Sequence, residues 1–162
     1  MTFSEVLGQQ HIKSHLAKTV KSGKIPHTQL FIGKTGSGLL ALALSYANEI
    51  LCQSYDEKSD AYTSCKNKVN KLAHPDLHFV YPVNTNEGVK KNPISDNFAS
   101  SWRDFVFNNS YSSLYDWYQF IGIEKKQGNI SKHEAVSISK KLSLKSYEGG
   151  YKVLIIWMAE KM

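Results

Sequence analysis

The stretch Gly33-Lys34-Thr35-Gly36-Ser37-Gly38-Leu39-Leu40 lies between a short apolar run, Gln29-Leu30-Phe31-Ile32, and a long apolar segment, and its reading decides the fold. Its frame is that of a phosphate-binding loop, G-x-x-x-x-G-K-[ST]. In such a loop backbone N–H groups cradle phosphates, the lysine reaches the terminal phosphates, and the Ser or Thr oxygen holds Mg²⁺. Here leucine occupies both chemical positions, Leu39 for the lysine and Leu40 for the hydroxyl. A glycine tract of this kind taken alone is equally a tight turn. With a strand pattern before it and a long helix pattern after it, it reads as a degenerate phosphate loop whose helix N-terminus still carries partial positive charge.

The elements around the loop support that reading. Ile12, Leu16 and Val20 recur at four-residue spacing and predict a helix, which Ser22-Gly23-Lys24-Ile25-Pro26 ends, since glycine suits the position after a helix and proline cannot continue it. Residues 29–32 are expected to form a strand running into Gly33. From Leu39 to Cys52 nearly every side is apolar, which predicts a helix buried against a sheet. Residues 53–72 are rich in Ser, Asp, Lys and Asn and read as a surface connection. His74-Pro75-Asp76 punctuates them, and Leu77-His78-Phe79-Val80-Tyr81 is the next strand, closed by Pro82.

Residues 83–128 are too many for a plain loop in a compact domain and carry Trp102, Phe105, Phe107, Tyr111, Tyr115, Trp117, Tyr118 and Phe120. Trp102 with Phe105, and Leu114 with Trp117 and Tyr118, have helical spacing, so the segment reads as an insertion with one or two helices that pack onto the domain. Ser131 with Glu134 three positions on reads as a capping box opening a helix that runs to about Leu144. Lys152-Val153-Leu154-Ile155-Ile156-Trp157 reads as a fully buried strand. Strands separated by helices argue for a parallel sheet in a three-layer α/β domain. The strand pattern runs into Ala159-Glu160-Lys161-Met162, which reads as the truncated end of a fragment of something longer.

In phosphate-loop ATPases an acidic residue at the end of a neighbouring strand organises Mg²⁺. The corresponding positions here are Trp157 and Met158, and the first acid is Glu160. Lysine, hydroxyl and acid are thus missing from three contacts that depend on one another, so neither bound ATP nor intrinsic hydrolysis is expected. No Ser/His/Asp or Cys/His set offers another chemistry.

Composition narrows the class without naming a partner. The 162 residues are 41% hydrophobic and 12% aromatic, which suits one domain over residues 1–162. Twenty Lys+Arg against fourteen Asp+Glu give +6, enough to favour polyanions, but the lysines are dispersed as on an ordinary solvated surface. No apolar run is long enough to cross a membrane, and two cysteines, Cys52 and Cys65, with no leader pattern point to a soluble, cytoplasmic protein of a reducing compartment.

Phe3-Ser4-Glu5-Val6-Leu7-Gly8-Gln9, Gly23-Lys24-Ile25-Pro26-His27, Leu30-Phe31-Ile32-Gly33, Leu51-Cys52, His74-Pro75-Asp76 and Lys152-Val153-Leu154-Ile155-Ile156 together resemble the first domain of the bacterial DNA polymerase III clamp-loader subunits, which are AAA+ proteins. The pattern is most similar to the delta-prime type, whose phosphate loop is characteristically defective. The resemblance implies a P-loop NTPase (AAA+-like) domain that serves as a non-hydrolysing stator in DNA replication. It would work beside gamma/tau and delta subunits in the ring that places a sliding clamp on primer-template DNA. The alternative it leaves open is a gamma/tau-like motor ATPase with unorthodox metal ligation, through Lys34 and Glu160.

That family commonly carries a four-cysteine zinc module before the His-Pro-Asp motif. Here only Cys52 and Cys65 fall in the interval, and two thiolates do not complete a tetrahedral site, although His74 and His78 follow. They read as small buried hydrophobes or loop residues, at most a remnant of the module, and zinc is not expected.

Overall fold

A computed structural model describes residues 1–162. The chain gathers into two compact units: Met1–Leu77 with Ser146–Val153, and His78–Lys145 with Leu154–Met162.

The first unit is built on the long apolar segment. It forms helix α2 (Leu39–Cys52), with Ala41, Leu42, Leu44, Ala47 and Ile50 buried, as its all-round apolarity predicts. Helix α1 (Gln10–Lys21) packs on it and ends where Gly23 takes a left-handed φ of +66°. Leu16 and Val20 are buried as expected, but Ile12 is exposed. Lys13 takes the third place in the stripe, folding its stem inward so that Nζ donates to Val6 O at 2.9 Å.

Two expectations fail in this unit. Residues 53–72 are more than a connection, for they contain helix α3 (Asp60–Asn70), whose N-cap Ser59 accepts the Tyr62 N–H. Only Cys65 and Val69 of α3 are buried, too few to leave an apolar stripe in the sequence. Residues 29–32 form no strand: Leu30 and Ile32 are exposed, and only Phe31 turns inward, 6.4 Å from the Tyr46 ring. A strand needs a ladder partner, and the sheet has only two strands, neither of them here.

Those strands are β1 (Leu77–Val80) and β2 (Val153–Ile156). Asp76 O accepts the Val153 N–H at 2.9 Å, and Val80 O accepts the Trp157 N–H at 2.8 Å. Both partners advance in the same direction, so the pair is parallel. Only Ile155 of β2 is buried, so the unbroken apolar run is not the fully buried strand it suggests. The fold is therefore mixed α/β with a small parallel sheet and six α-helices.

The second unit holds the aromatic segment. Helices α4 (Ala99–Asn108) and α5 (Leu114–Phe120) form within it, as their spacing predicts. Ser113 caps α5, and Asp116 closes the capping box. Trp102 is the hub of the aromatic core: it stacks on Tyr81 at 4.1 Å between centroids and meets Trp117 edge-on at 5.3 Å. Burial pushes the Tyr81 phenol far above its usual range, and its hydroxyl donates to Ser95 O at 2.7 Å. Helix α6 (Lys132–Ser143) starts at N-cap Ser131 as expected, but the capping box is half made. The Glu134 carboxylate leaves its own helix end and accepts the Ser95 N–H at 2.5 Å, deep in the unit.

Candidate functional site

Gly33 to Leu40 lie in the first unit, with Lys34, Thr35 and Gly36 exposed and Leu40 buried. Gly36 and Gly38 take φ of +79° and +81°, the left-handed turns that let the chain double back into α2. Gly38 is the N-cap of α2 and supplies no side-chain acceptor, so the first-turn N–H groups of the helix remain available at the loop. Gln9 Nε2 donates to Ser37 O at 2.5 Å, which ties the loop to the residue preceding α1.

The side chains decide what this frame offers. A Cβ built on Gly33 would lie 3.2 and 3.5 Å from the two Leu39 methyl carbons and 2.9 Å from Ser37 Oγ. Leu39 therefore lays hydrocarbon against the loop where a phosphate loop presents an ammonium. Ser37 Oγ is buried and has no hydrogen-bond partner. No hydroxyl stands at position 40, where buried Leu40 belongs to the core of the unit.

The strand-end positions Trp157 and Met158 belong to the second unit. Trp157 is buried, with its ring 5.4 Å from Trp102 and 6.1 Å from Phe105. Met158 takes a left-handed φ of 57° and turns the chain into a short 3-10 helix, Ala159–Lys161, on which Glu160 is exposed. Trp157, expected from the sequence at the place of a metal-organising acid, is thus committed to aromatic packing.

Of the two readings of Cys52 and Cys65, buried or on a loop, both prove buried, but not as the free thiols expected: they form a disulfide between the end of α2 and the middle of α3. Neither the small-hydrophobe reading nor the zinc-remnant reading anticipates a bond between them, because residues 53–72 do not read as a helix that would fold back over α2. No group of three or more His, Cys, Asp or Glu side chains is arranged to hold a metal ion.

A polar cluster built on the His74-Pro75-Asp76 triplet lies in the first unit. The Asp76 carboxylate accepts the Tyr147 N–H at 2.7 Å and the Glu148 N–H at 2.9 Å. His74 Nδ1 accepts the Asp76 N–H at 3.1 Å, which fixes the ring so that Nε2 faces Glu148 Oε2, also at 3.1 Å. Lys68 Nζ donates to Glu148 Oε1 at 2.5 Å and Tyr55 OH to Oε2 at 3.2 Å. The Lys68 hydrogen bond, helped by the Lys68 charge and the Tyr55 hydroxyl and opposed by burial, holds the Glu148 carboxyl below its ordinary range. The cluster's function is architectural: the His-Pro-Asp bend fastens the loop that feeds β2. Its only signal in the sequence is the His-Pro-Asp triplet, because Glu148 is 74 positions from His74.

Comparison with known proteins places the chain in a family of replication proteins. The family model described as DNA polymerase III, delta subunit, matches residues 8–162. A Bacillus subtilis (strain 168) protein named DNA polymerase III subunit delta' is 32% identical over 75 residues, which are 46% of this chain and 22% of that relative. The match thus spans about a fifth of the relative's length. No solved structure matches. No helix is long and apolar enough to cross a membrane. With the family model covering nearly the whole chain and a delta-prime subunit among its relatives, the chain belongs to the DNA polymerase III delta subunit family, as a delta-prime type member.

Proposed function

We propose that this chain forms a non-hydrolysing, AAA+-like stator domain of the clamp loader, acting in DNA replication as a fixed neighbour for the gamma/tau motor and delta subunits. On this reading the domain serves assembly and the nucleotide chemistry is gone. The carrying observation is Leu39, whose methyl groups lie against Gly33 where a lysine would reach phosphate. Such a loop does not fit a magnesium nucleotide: it lacks the cation and the hydroxyl, and Trp157 holds a core position where the acid would be. Contact with the sliding clamp and primer-template DNA is then made through the assembled complex.

Titration calorimetry of the full-length natural protein with Mg-ATP tests the reading. No magnesium-dependent heat is expected at micromolar nucleotide. Micromolar binding that needs Mg²⁺ and is lost in Glu160→Ala would establish the motor-type alternative instead. Gel filtration with gamma/tau and delta checks the assembly role separately, and failure to co-elute would count against a stator.

A further inference from the structure

Helix α3 packs along α2 but buries few of its own side chains. Of its 11 residues only Cys65 and Val69 are buried, and an isolated helix of this length is marginal in water. Its remaining ties are polar and peripheral: Lys66 Nζ to Glu49 Oε1 at 2.8 Å, Lys68 Nζ to Glu148 Oε1 at 2.5 Å, and Asn70 Oδ1 to Asn48 Nδ2 at 3.3 Å and to the Met1 amino group. The one strong tie is the Cys52–Cys65 bond, with both residues only 1% exposed. Lys68 in turn links α3 to Glu148 and so to His74 and the bend that Asp76 anchors.

We propose that Cys52 and Cys65 form a redox-responsive clasp: as a disulfide they pin α3 to α2, and as two thiols they release α3 together with the hold of Lys68 on Glu148. The exchange is ordinary thiol–disulfide chemistry. A thiolate of a dithiol reductant attacks one sulfur, a mixed disulfide forms, and the other cysteine leaves as thiolate. The reductant's second thiolate then displaces the first cysteine. The protein gains two electrons and two protons, and the reductant becomes a disulfide. Glutathione disulfide drives the reverse, each turnover yielding two glutathione molecules and one protein disulfide. Because both sulfurs are sealed, attack waits for α3 to lift, so the rate of reduction reports the opening of the helix.

The test uses the full-length protein poised with either glutathione disulfide or dithiothreitol, quenched with N-ethylmaleimide, and read by intact mass and by amide hydrogen exchange. The expected result is a disulfide in the first condition and two alkylated thiols in the second. Reduction should speed exchange at least about tenfold across α3 while α1 and α4 keep their protection. Lys66→Ala should speed reduction several-fold, and Cys65→Ser should show the open α3 under both conditions. Equal α3 protection in both redox states would overturn the clasp, as would protected α3 in Cys65→Ser. Thiols that stay unpaired in excess glutathione disulfide, wholesale loss of protection on reduction, or a stoichiometric zinc ion on the reduced pair would each do the same.

Discussion

The Asp76 carboxylate accepts the backbone N–H of Glu148 at 2.9 Å while the Glu148 side chain faces the histidine two positions before Asp76, so the two acids lock a bend and a loop together from opposite sides. Asp76 is almost fully buried and also takes the Tyr147 N–H. Replacing it with alanine leaves two N–H groups without their charged acceptor. Hydrogen bonds to a charged group are worth about 1.5–3 kcal/mol each, with some overlap between the pair, so Asp76→Ala should cost about 3 kcal/mol. Asp76→Asn keeps an oxygen for one of the two N–H groups but sets its amide NH2 against the other, so it should recover little of that loss. Urea denaturation of the two variants against the parent measures both.

Glu148 makes stability depend on pH. Its carboxyl titrates lower in the folded protein than its ordinary value of 4.5, chiefly because Lys68 donates to it. A depressed carboxyl contributes stability that is fully present above the unfolded-state value and lost as pH falls through the folded one. Melting temperature should therefore be flat near neutrality and fall as the pH drops below about 4.5. In Lys68→Ala the fall should be shallower, because the leading cause of the depression is gone. An identical acid limb in that variant would show that Lys68 does not hold the carboxylate in solution.

What the sequence reveals of this molecule follows how local each determinant is. Helix α2 is legible because its own composition buries it, and α4 and α5 because the spacing of Trp102, Phe105 and Trp117 is a property of a few neighbouring residues. Helix α3 is hidden because it is fastened by a disulfide and ion pairs, whose partners on α2 and at Glu148 cannot be paired from a list of letters. Residues 29–32 mislead in the opposite sense: a β-rich apolar run states a preference, but strand status depends on a partner elsewhere. At the proposed site, the sequence itself has Leu39, Leu40 and Trp157 where a phosphate-loop ATPase has lysine, hydroxyl and acid. That Leu39 lies against Gly33, and that Trp157 joins an aromatic core, becomes visible only once distant residues are brought together.

Trp157→Asp places an acid at the strand-end position, and its failure would be informative. Trp157 is buried beside Trp102 and Phe105. The change removes an indole worth about 3–5 kcal/mol in such a core and adds a carboxylate with no partner. The expected outcome is loss of near-ultraviolet circular dichroism and a melting temperature lower by more than about 10 °C, with no gain in Mg-ATP affinity. A folded variant that bound Mg-ATP would mean that the position serves a nucleotide site after all.

Ser37 and Gly33 should be coupled, because the Ser37 hydroxyl lies 2.9 Å from where a Cβ on Gly33 would sit, closer than real Cβ atoms approach. Gly33→Ala therefore forces the hydroxyl aside, at a cost of about 1–3 kcal/mol for an overpacked contact. Ser37→Ala alone should be neutral or stabilising by about 1 kcal/mol, since it deletes a buried oxygen that has no partner. In the Ser37→Ala background the cost of Gly33→Ala should shrink to the residual contact with Leu39, whose nearest methyl carbon at 3.2 Å sits on a flexible side chain. A double-mutant cycle in urea reads the difference directly, and a coupling energy of about 0.5 kcal/mol or more is expected for atoms this close. Strict additivity would mean that the loop relaxes away from Ser37 in solution and that the glycine is held for another reason.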